Sequence, residues 1–228
     1  MSDLTIRDMP SPNCGERRGG VVPDMVVIHY TAMQSAAAAC ARLCAPEHEV
    51  SAHYLLDVTG EIIRLVPEDF RAWHAGAGAW GDVSDVNSRS IGIELANRGA
   101  EPFAAAQMDA LELLLADIMT RHRIVPERVI GHQDMAPARK CDPGVRFDWR
   151  RLSLSGLAVW PEAGEADPSG FFADLTAFGY PQAEEPARLA AFRARFRPRH
   201  DGPVDRIDAG LACDLATRFP VDPTPANA

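Results

Sequence analysis

Four successive apolar positions, Met25-Val26-Val27-Ile28, have the pattern of a central strand covered on both faces, and the run continues through His29 and Tyr30. Ser90–Ala96 alternates instead, with Ile91, Ile93 and Leu95 on one side and Gly92, Glu94 and Ala96 on the other, which predicts a strand with two different faces. Between Phe103 and His122 the period changes: Met108, Leu111, Leu115, Ile118 and Met119 form one stripe of an amphipathic helix. The Ala-rich run Ser35–Cys44, ending before Pro46, predicts a second helix with Ser35 as its cap. Ala52–Val58 and Glu61–Val66 flank Thr59-Gly60 and predict a hairpin. Arg128–Gly131 reads as a short strand, and Phe147–Leu152 as a turn or two of helix. The Pro/Gly-rich opening, to about residue 24, reads as an arm on the surface. Residues 74–88 are rich in Gly and Asp and read as a loop long enough to carry function. Strands and helices intermixed over 25–152 predict an α/β fold, a sheet covered by helices.

The composition changes at Trp160. Residues 161–170 carry Pro, Gly and acids without periodicity and read as a linker. Beyond them Phe171–Phe178, Ala187–Phe196 and Ile207–Arg218 predict three short helices with apolar stripes. The expected organisation is a main domain over 1–160, a linker over 161–170 and a small helical unit over 171–228, too small to be very stable by itself.

The chain has 228 residues, 46% of them hydrophobic and 24% charged, with a formal charge of −9. This is globular composition, and the acidic balance excludes the basic footprint of a nucleic-acid binder. No apolar run approaches the roughly 20 residues that cross a bilayer. Five cysteines, irregularly spaced, do not read as a disulfide framework. The polar start has neither a secretory signal nor an apolar stretch before Cys14 to make a lipid anchor. These features predict a cytoplasmic chain with reduced thiols and no membrane anchor. They are silent on the oligomeric state.

Among seven histidines, His29 closes the buried strand and His132 closes Arg128–Gly131. Sites in open α/β sheets cluster beyond strand ends. Asp142 follows within Lys140-Cys141-Asp142-Pro143-Gly144. Two imidazoles and a carboxylate can hold Zn²⁺ and leave a fourth position for water, the pattern of a catalytic site. The alternative is that each histidine is simply a hydrogen-bonded core or surface residue. Glu94 is an acid on a strand that otherwise reads as buried, so it needs a partner unless the strand lies at an edge in water.

The blocks VVIHYT, SAHYLLD, RAWHAG, NSRSIGIELANRG, VIGH and ARKCDPG occur in this order over roughly residues 22–155. Together they resemble the zinc-dependent N-acetylmuramoyl-L-alanine amidases of the type-2 (AmpD/AmiD-like) family. The resemblance implies a mixed central β-sheet flanked by helices, the fold shared with peptidoglycan-recognition proteins. It implies hydrolysis of the amide between N-acetylmuramic acid and L-alanine in peptidoglycan or muropeptides. It places metal ligands on His29, His132 and Asp142, the general base on Glu94 and a transition-state-stabilising lysine on Lys140. Related proteins carry a cysteine before Pro-Gly; here that register falls on Asp142, and Cys141 reads as a bystander. The resemblance puts His74 on the substrate cleft, the alternative being a brace for its loop; Tyr54, Asn87, Arg89 and Trp80 are further candidate contacts, Trp80 either stacking on a sugar or serving as a packing anchor. Leu175, Gly179-Tyr180, Ala191-Phe192, Phe196 and Asp205 loosely resemble a three-helix peptidoglycan-binding domain, whose alternative is a helical cap without ligand affinity. The missing signal points to soluble, recycled fragments as substrate, whereas a binding domain points to intact sacculus outside the cytoplasm. A non-catalytic peptidoglycan-binding protein on the same scaffold is the competing function. The filled ligand, base and lysine positions weigh against it.

Overall fold

In the computed structural model, which describes residues 4–222, six strands form one sheet. They are β1 (Ile6–Asp8), β3 (Met25–Tyr30), β4 (Tyr54–Leu56), β5 (Ile62–Arg64), β7 (Ser90–Leu95) and β8 (Val129–Gly131), in the order β1-β5-β4-β7-β3-β8. The centre is parallel, with β3 between β7 and β8 and β4 on the far side of β7. The predicted hairpin is present as antiparallel β4 and β5. A separate antiparallel pair joins β2 (Cys14–Glu16) to β6 (Phe70–Ala72).

The opening segment is not a surface arm. It supplies β1, which pairs parallel to β5, and β2, and it buries Ser11, Asn13 and Arg17. The buried Arg17 guanidinium donates to the carbonyls of Glu68, Ser88 and Ser90 at 2.7–3.0 Å. Polar residues there read as solvent-facing because the carbonyls that satisfy them lie far along the chain.

The two faces of the sheet follow from strand parity. Val26 and Ile28 of β3 lie with Ile91, Ile93 and Leu95 of β7 against the helix α3 (Ala105–His122). Leu111, Leu114, Leu115 and Ile118 of α3 are fully buried there, each contributing about 1.5–3 kcal/mol. On the opposite face, one end is covered by α1 (Ala36–Cys44), capped as predicted by Ser35 Oγ, which packs on Leu55 and Ile63. The other end is covered by three helices, α6 (Phe171–Phe178), α7 (Glu185–Phe196) and α8 (Arg206–Arg218), whose core includes Met25, Val27 and Ile130 of the sheet. The middle of this face, between α1 and the C-terminal helices, is left for a cleft. Three short helices complete the order: α2 (Val86–Arg89), α4 (His132–Met135) and α5 (Trp149–Leu154). None of the helices among the described residues is long and apolar enough to cross a membrane.

Candidate active site

His29 on β3 pairs in register with Glu94 on β7, so both side chains leave the same face of neighbouring strands. Parity puts them on the face of Val27, over the uncovered middle. The chain leaves β8 at Gly131 and turns into α4, whose first residue is His132. The backbone N–H of Gln133 donates to the Asp142 carbonyl at 2.8 Å and fixes the Lys140–Asp142 segment against that turn. These local structures bring together residues distant in sequence. His29 Nδ1 lies 2.9 Å from His132 Nδ1 and 3.0 Å from Asp142 Oδ2, and His132 Nδ1 is 3.1 Å from the same oxygen.

The tautomers follow from the surrounding acceptors. His132 Nε2 is 2.8 Å from the Ala75 carbonyl, which can only accept, so Nε2 carries the proton. Ser90 Oγ donates to the Val86 carbonyl at 2.6 Å and therefore accepts from His74 Nε2 at 3.2 Å. His74 Nδ1 is then an acceptor, and His29 Nε2, at 3.0 Å, donates to it. Burial, with the neighbouring His132, lowers His29 to about 4, and burial lowers His74 well below the ordinary imidazole value, so both rings are neutral at pH 7. Neutral His29, with its proton on Nε2, turns an unprotonated Nδ1 towards His132 Nδ1 and an Asp142 carboxylate oxygen. Lone pairs on atoms about 3 Å apart repel one another unless a proton or a metal cation lies between them. Tetrahedral zinc, with arms of about 2.0–2.2 Å, holds its ligand atoms roughly 3.4 Å apart. The donor set fits that ion.

Beside the triad, Oε2 of Glu94 is buried without a hydrogen-bond partner. Burial, with the Asp142 charge adding to it and Lys140 opposing it, pushes the carboxyl up to about 8. A buried acid facing a cleft with no partner is positioned to exchange protons with a bound molecule. The cleft has a volume of about 400 Å³ and is lined by His29, His74, Glu94, His132, Lys140 and Asp142, with Tyr30, Arg42 and Trp73 at its walls.

Residues 19–145 match the family described as N-acetylmuramoyl-L-alanine amidase, a span that contains every one of these groups. The chain belongs to that family. The amidase is 35% identical over 234 residues to the N-acetylmuramoyl-L-alanine amidase AmiD of Escherichia coli (strain K12), with 87% of this chain and 84% of that protein covered. Its fold is similar to that of E. coli AmiD in complex with the substrate anhydro-N-acetylmuramic acid-L-Ala-D-gamma-Glu-L-Lys. The TM-score is 0.81 and the identity 31%, over 92% of this chain and 99% of the other. It is also similar to AmpDh3 of Pseudomonas aeruginosa in complex with anhydromuramic pentapeptide. There the TM-score is 0.78 and the identity 28%, over 90% and 95% of the two chains.

The sequence-predicted residues divide by location. His29, His132, Asp142, Glu94, Lys140 and His74 share the amidase's cleft. Tyr54, a predicted substrate contact, does not. It pairs in register with Ile93 and projects from the opposite face, where its hydroxyl donates to Glu68 at 2.7 Å. Trp80 does not stack on a sugar either. It is fully buried, edge-on to Phe178 and Tyr180 at ring distances of 5.3 and 5.2 Å. Asn87 is buried under the loop, its Oδ1 accepting from the backbone N–H groups of His74 and Ala75 at 3.0 and 2.9 Å. It sets the approach of the His74 loop and is not free for a ligand. Cys141 is exposed, its sulfur 3.3 Å from the Tyr30 hydroxyl.

Sequence reasoning missed the supports. Ser90 and the Val86 carbonyl set the His74 tautomer, and Arg139 Nη2 holds the Ala75 carbonyl at 2.7 Å. Asp134, within the turn that His132 starts, pairs with Arg195 of α7 at 2.7 Å. The alternation of β7 already put Gly92 and Glu94 on one face, but no local signal marks Arg195.

Proposed function

We propose that the amidase hydrolyses the amide between N-acetylmuramic acid and L-alanine in muropeptides, as a zinc enzyme, with its catalytic residues in the segment 1–160. Three ligand atoms converging beside the buried, unpartnered carboxyl group of Glu94 carry this reading. His29, His132 and Asp142 hold the metal, which supplies Lewis acidity when bound. Glu94, which a divalent cation held beside it would keep ionised, takes the proton of the attacking water as its oxygen bonds to the amide carbon, and returns it to the nitrogen as the C–N bond breaks. The second proton of the water also passes to the leaving nitrogen, so the two products are a free muramyl carboxylate and an L-alanyl peptide with an ammonium terminus. The Lys140 ammonium faces the negative charge that develops on the carbonyl oxygen. His74 orients His29 and forms part of the cleft wall.

Soluble anhydro-muropeptides are the preferred substrate in this reading, supported by the two similar structures that hold such ligands. The test is a digest of purified anhydro-muropeptides and of sacculi, followed by release of L-alanyl peptide, before and after chelation. Chelated protein is expected to be inactive and to recover with one equivalent of zinc. Full turnover by protein stripped of metal would overturn the metal role. Faster release from sacculi would overturn the substrate preference.

A further inference from the structure

His132 sits on a single helical turn, α4, whose carboxylate cap is completed by Arg195 of α7 and by Tyr180 of the connection between α6 and α7. Asp134 Oδ2 accepts from the Gly131 N–H at 2.8 Å, closing the turn on itself. The same oxygen accepts from Arg195 Nη1 of α7 at 2.7 Å, and Oδ1 accepts from the Tyr180 hydroxyl at 2.8 Å. Arg195 also donates to the Val129 carbonyl of β8 at 3.2 Å, and its guanidinium carbon lies over the Trp149 ring, 4.1 Å from the centroid. Asp134 and Arg195 are both fully buried. A buried ion pair contributes little net stability against an apolar replacement, and its best-attested use is to fix one arrangement among several. Here the arrangement fixed is that of the turn that starts at His132, whose Gln133 N–H also holds the Asp142 carbonyl. Two of the three ligands therefore depend on one four-residue turn, and the turn is clamped from beneath by a part of the chain outside the family match.

We infer that Asp134, Arg195 and Tyr180 are positioning residues for the metal centre, and that the C-terminal helices set its geometry through them. This rests on the proposed His29, His132 and Asp142 ligation. Outer partners that orient a ligand typically alter metal affinity by about 10–100-fold when removed.

Cobalt(II) substitution tests it, because the visible band reports ligand geometry directly. Tyr180→Phe removes one hydrogen bond without burying a lone charge, and Asp134→Asn removes the ion pair with little change in shape. Arg193→Met serves as a control, since Arg193 pairs with Asp208 entirely within the C-terminal helices at 2.5 Å. Each full-length protein is titrated with Co²⁺ against a competing chelator, and the melting temperature of the metal-free form is recorded. Tyr180→Phe and Asp134→Asn are expected to shift the band and weaken Co²⁺ binding about tenfold or more, whereas Arg193→Met lowers only the melting temperature. If Asp134→Asn does not fold, Tyr180→Phe decides. Unchanged band and affinity in Tyr180→Phe, with the unsubstituted protein binding one Co²⁺, overturns the positioning role alone. Failure of the unsubstituted protein to bind Co²⁺ overturns the ligation and this inference together.

Discussion

His74 stands directly over Gly92: a Cβ added at residue 92 would fall 2.4 Å from the imidazole. Glycine is required here by close approach, since the ring that accepts the His29 proton must lie against the floor of β7. Gly92→Ala is expected to push the His74 ring off its acceptor position and free His29 to adopt the other tautomer. Zinc affinity should fall by about 10–100-fold, the range for an outer-shell partner. Chelator competition measures it, and unaltered affinity with intact folding would show that His74 does not orient the ligand.

Glu94→Gln keeps the shape of the side chain and removes its basicity. The expected outcome is a fall in turnover of about 10²–10⁴-fold, the typical contribution of a positioned general base. Metal content should stay at the unsubstituted level, because Glu94 is not among the converging ligand atoms. Turnover within a few-fold of the original would assign proton transfer to another group.

Lys140→Met removes the ammonium and keeps most of the side-chain length. Its proposed contact is with charge that exists only in the transition state, so kcat should fall by about 10²–10³-fold with KM little changed. A rise in KM at constant kcat would make Lys140 a ground-state binding group instead.

Stability in acid depends on a cluster on the opposite face of the sheet. Burial alone would raise the Glu68 carboxyl, but hydrogen bonds from Arg121, His122 and Tyr54 outweigh it and hold the group at about 2, against 4.5 for a free side chain. A depressed folded-state value stabilises the protein above the unfolded value, and the contribution disappears as pH falls from about 4.5 towards 2. Glu68→Gln is expected to lower the melting temperature at pH 7 and to flatten its decline over that acid range. Parallel melting curves for the two proteins between pH 5 and pH 2 would remove Glu68 as a source of acid sensitivity.

The elements the sequence announced were those with local patterns. The β3 run, the β7 alternation, the α3 stripe and the Ser35 cap are all present, and the same patterns put His29 and Glu94 on one face. Tyr54 failed because its face depends on strand register, and a side chain one position along, Leu55, is the one that lies opposite Glu94. Trp80 is the packing anchor and not the sugar platform, because the loop that carries it is roofed by Phe178 and Tyr180, a burial that no periodicity in 74–88 encodes. The opening strands were missed because three-residue strands have too few positions to show alternation. Arg195 is invisible for another reason: an arginine on a helix ordinarily reads as solvent-facing, and only the fold reveals that Asp134 lies beneath it.

Residues 161–170 read as a linker, which makes truncation near Gly164 a direct test of how far the helices stand apart. Met25, Val27, Ile130 and Trp80 bury against the same core as Phe171, Leu175 and Phe192, so removing residues 165–228 uncovers one end of the sheet. It also strips Asp134 of Arg195 and Tyr180. Breaking a buried pair from one side costs about 3–5 kcal/mol, a large share of the roughly 5–15 kcal/mol that holds a domain folded. Gly210 of α8 packs against the linker itself, where an added Cβ would meet the Gly164 carbonyl at 2.2 Å, so the junction is a contact and not a free tether. A fragment of residues 1–164 is therefore expected to lose cooperative thermal unfolding or to aggregate, as read by circular dichroism and size-exclusion chromatography. A monomeric fragment that melts cooperatively within a few degrees of the full chain and binds zinc equally well would show that the helices are an independent appendage.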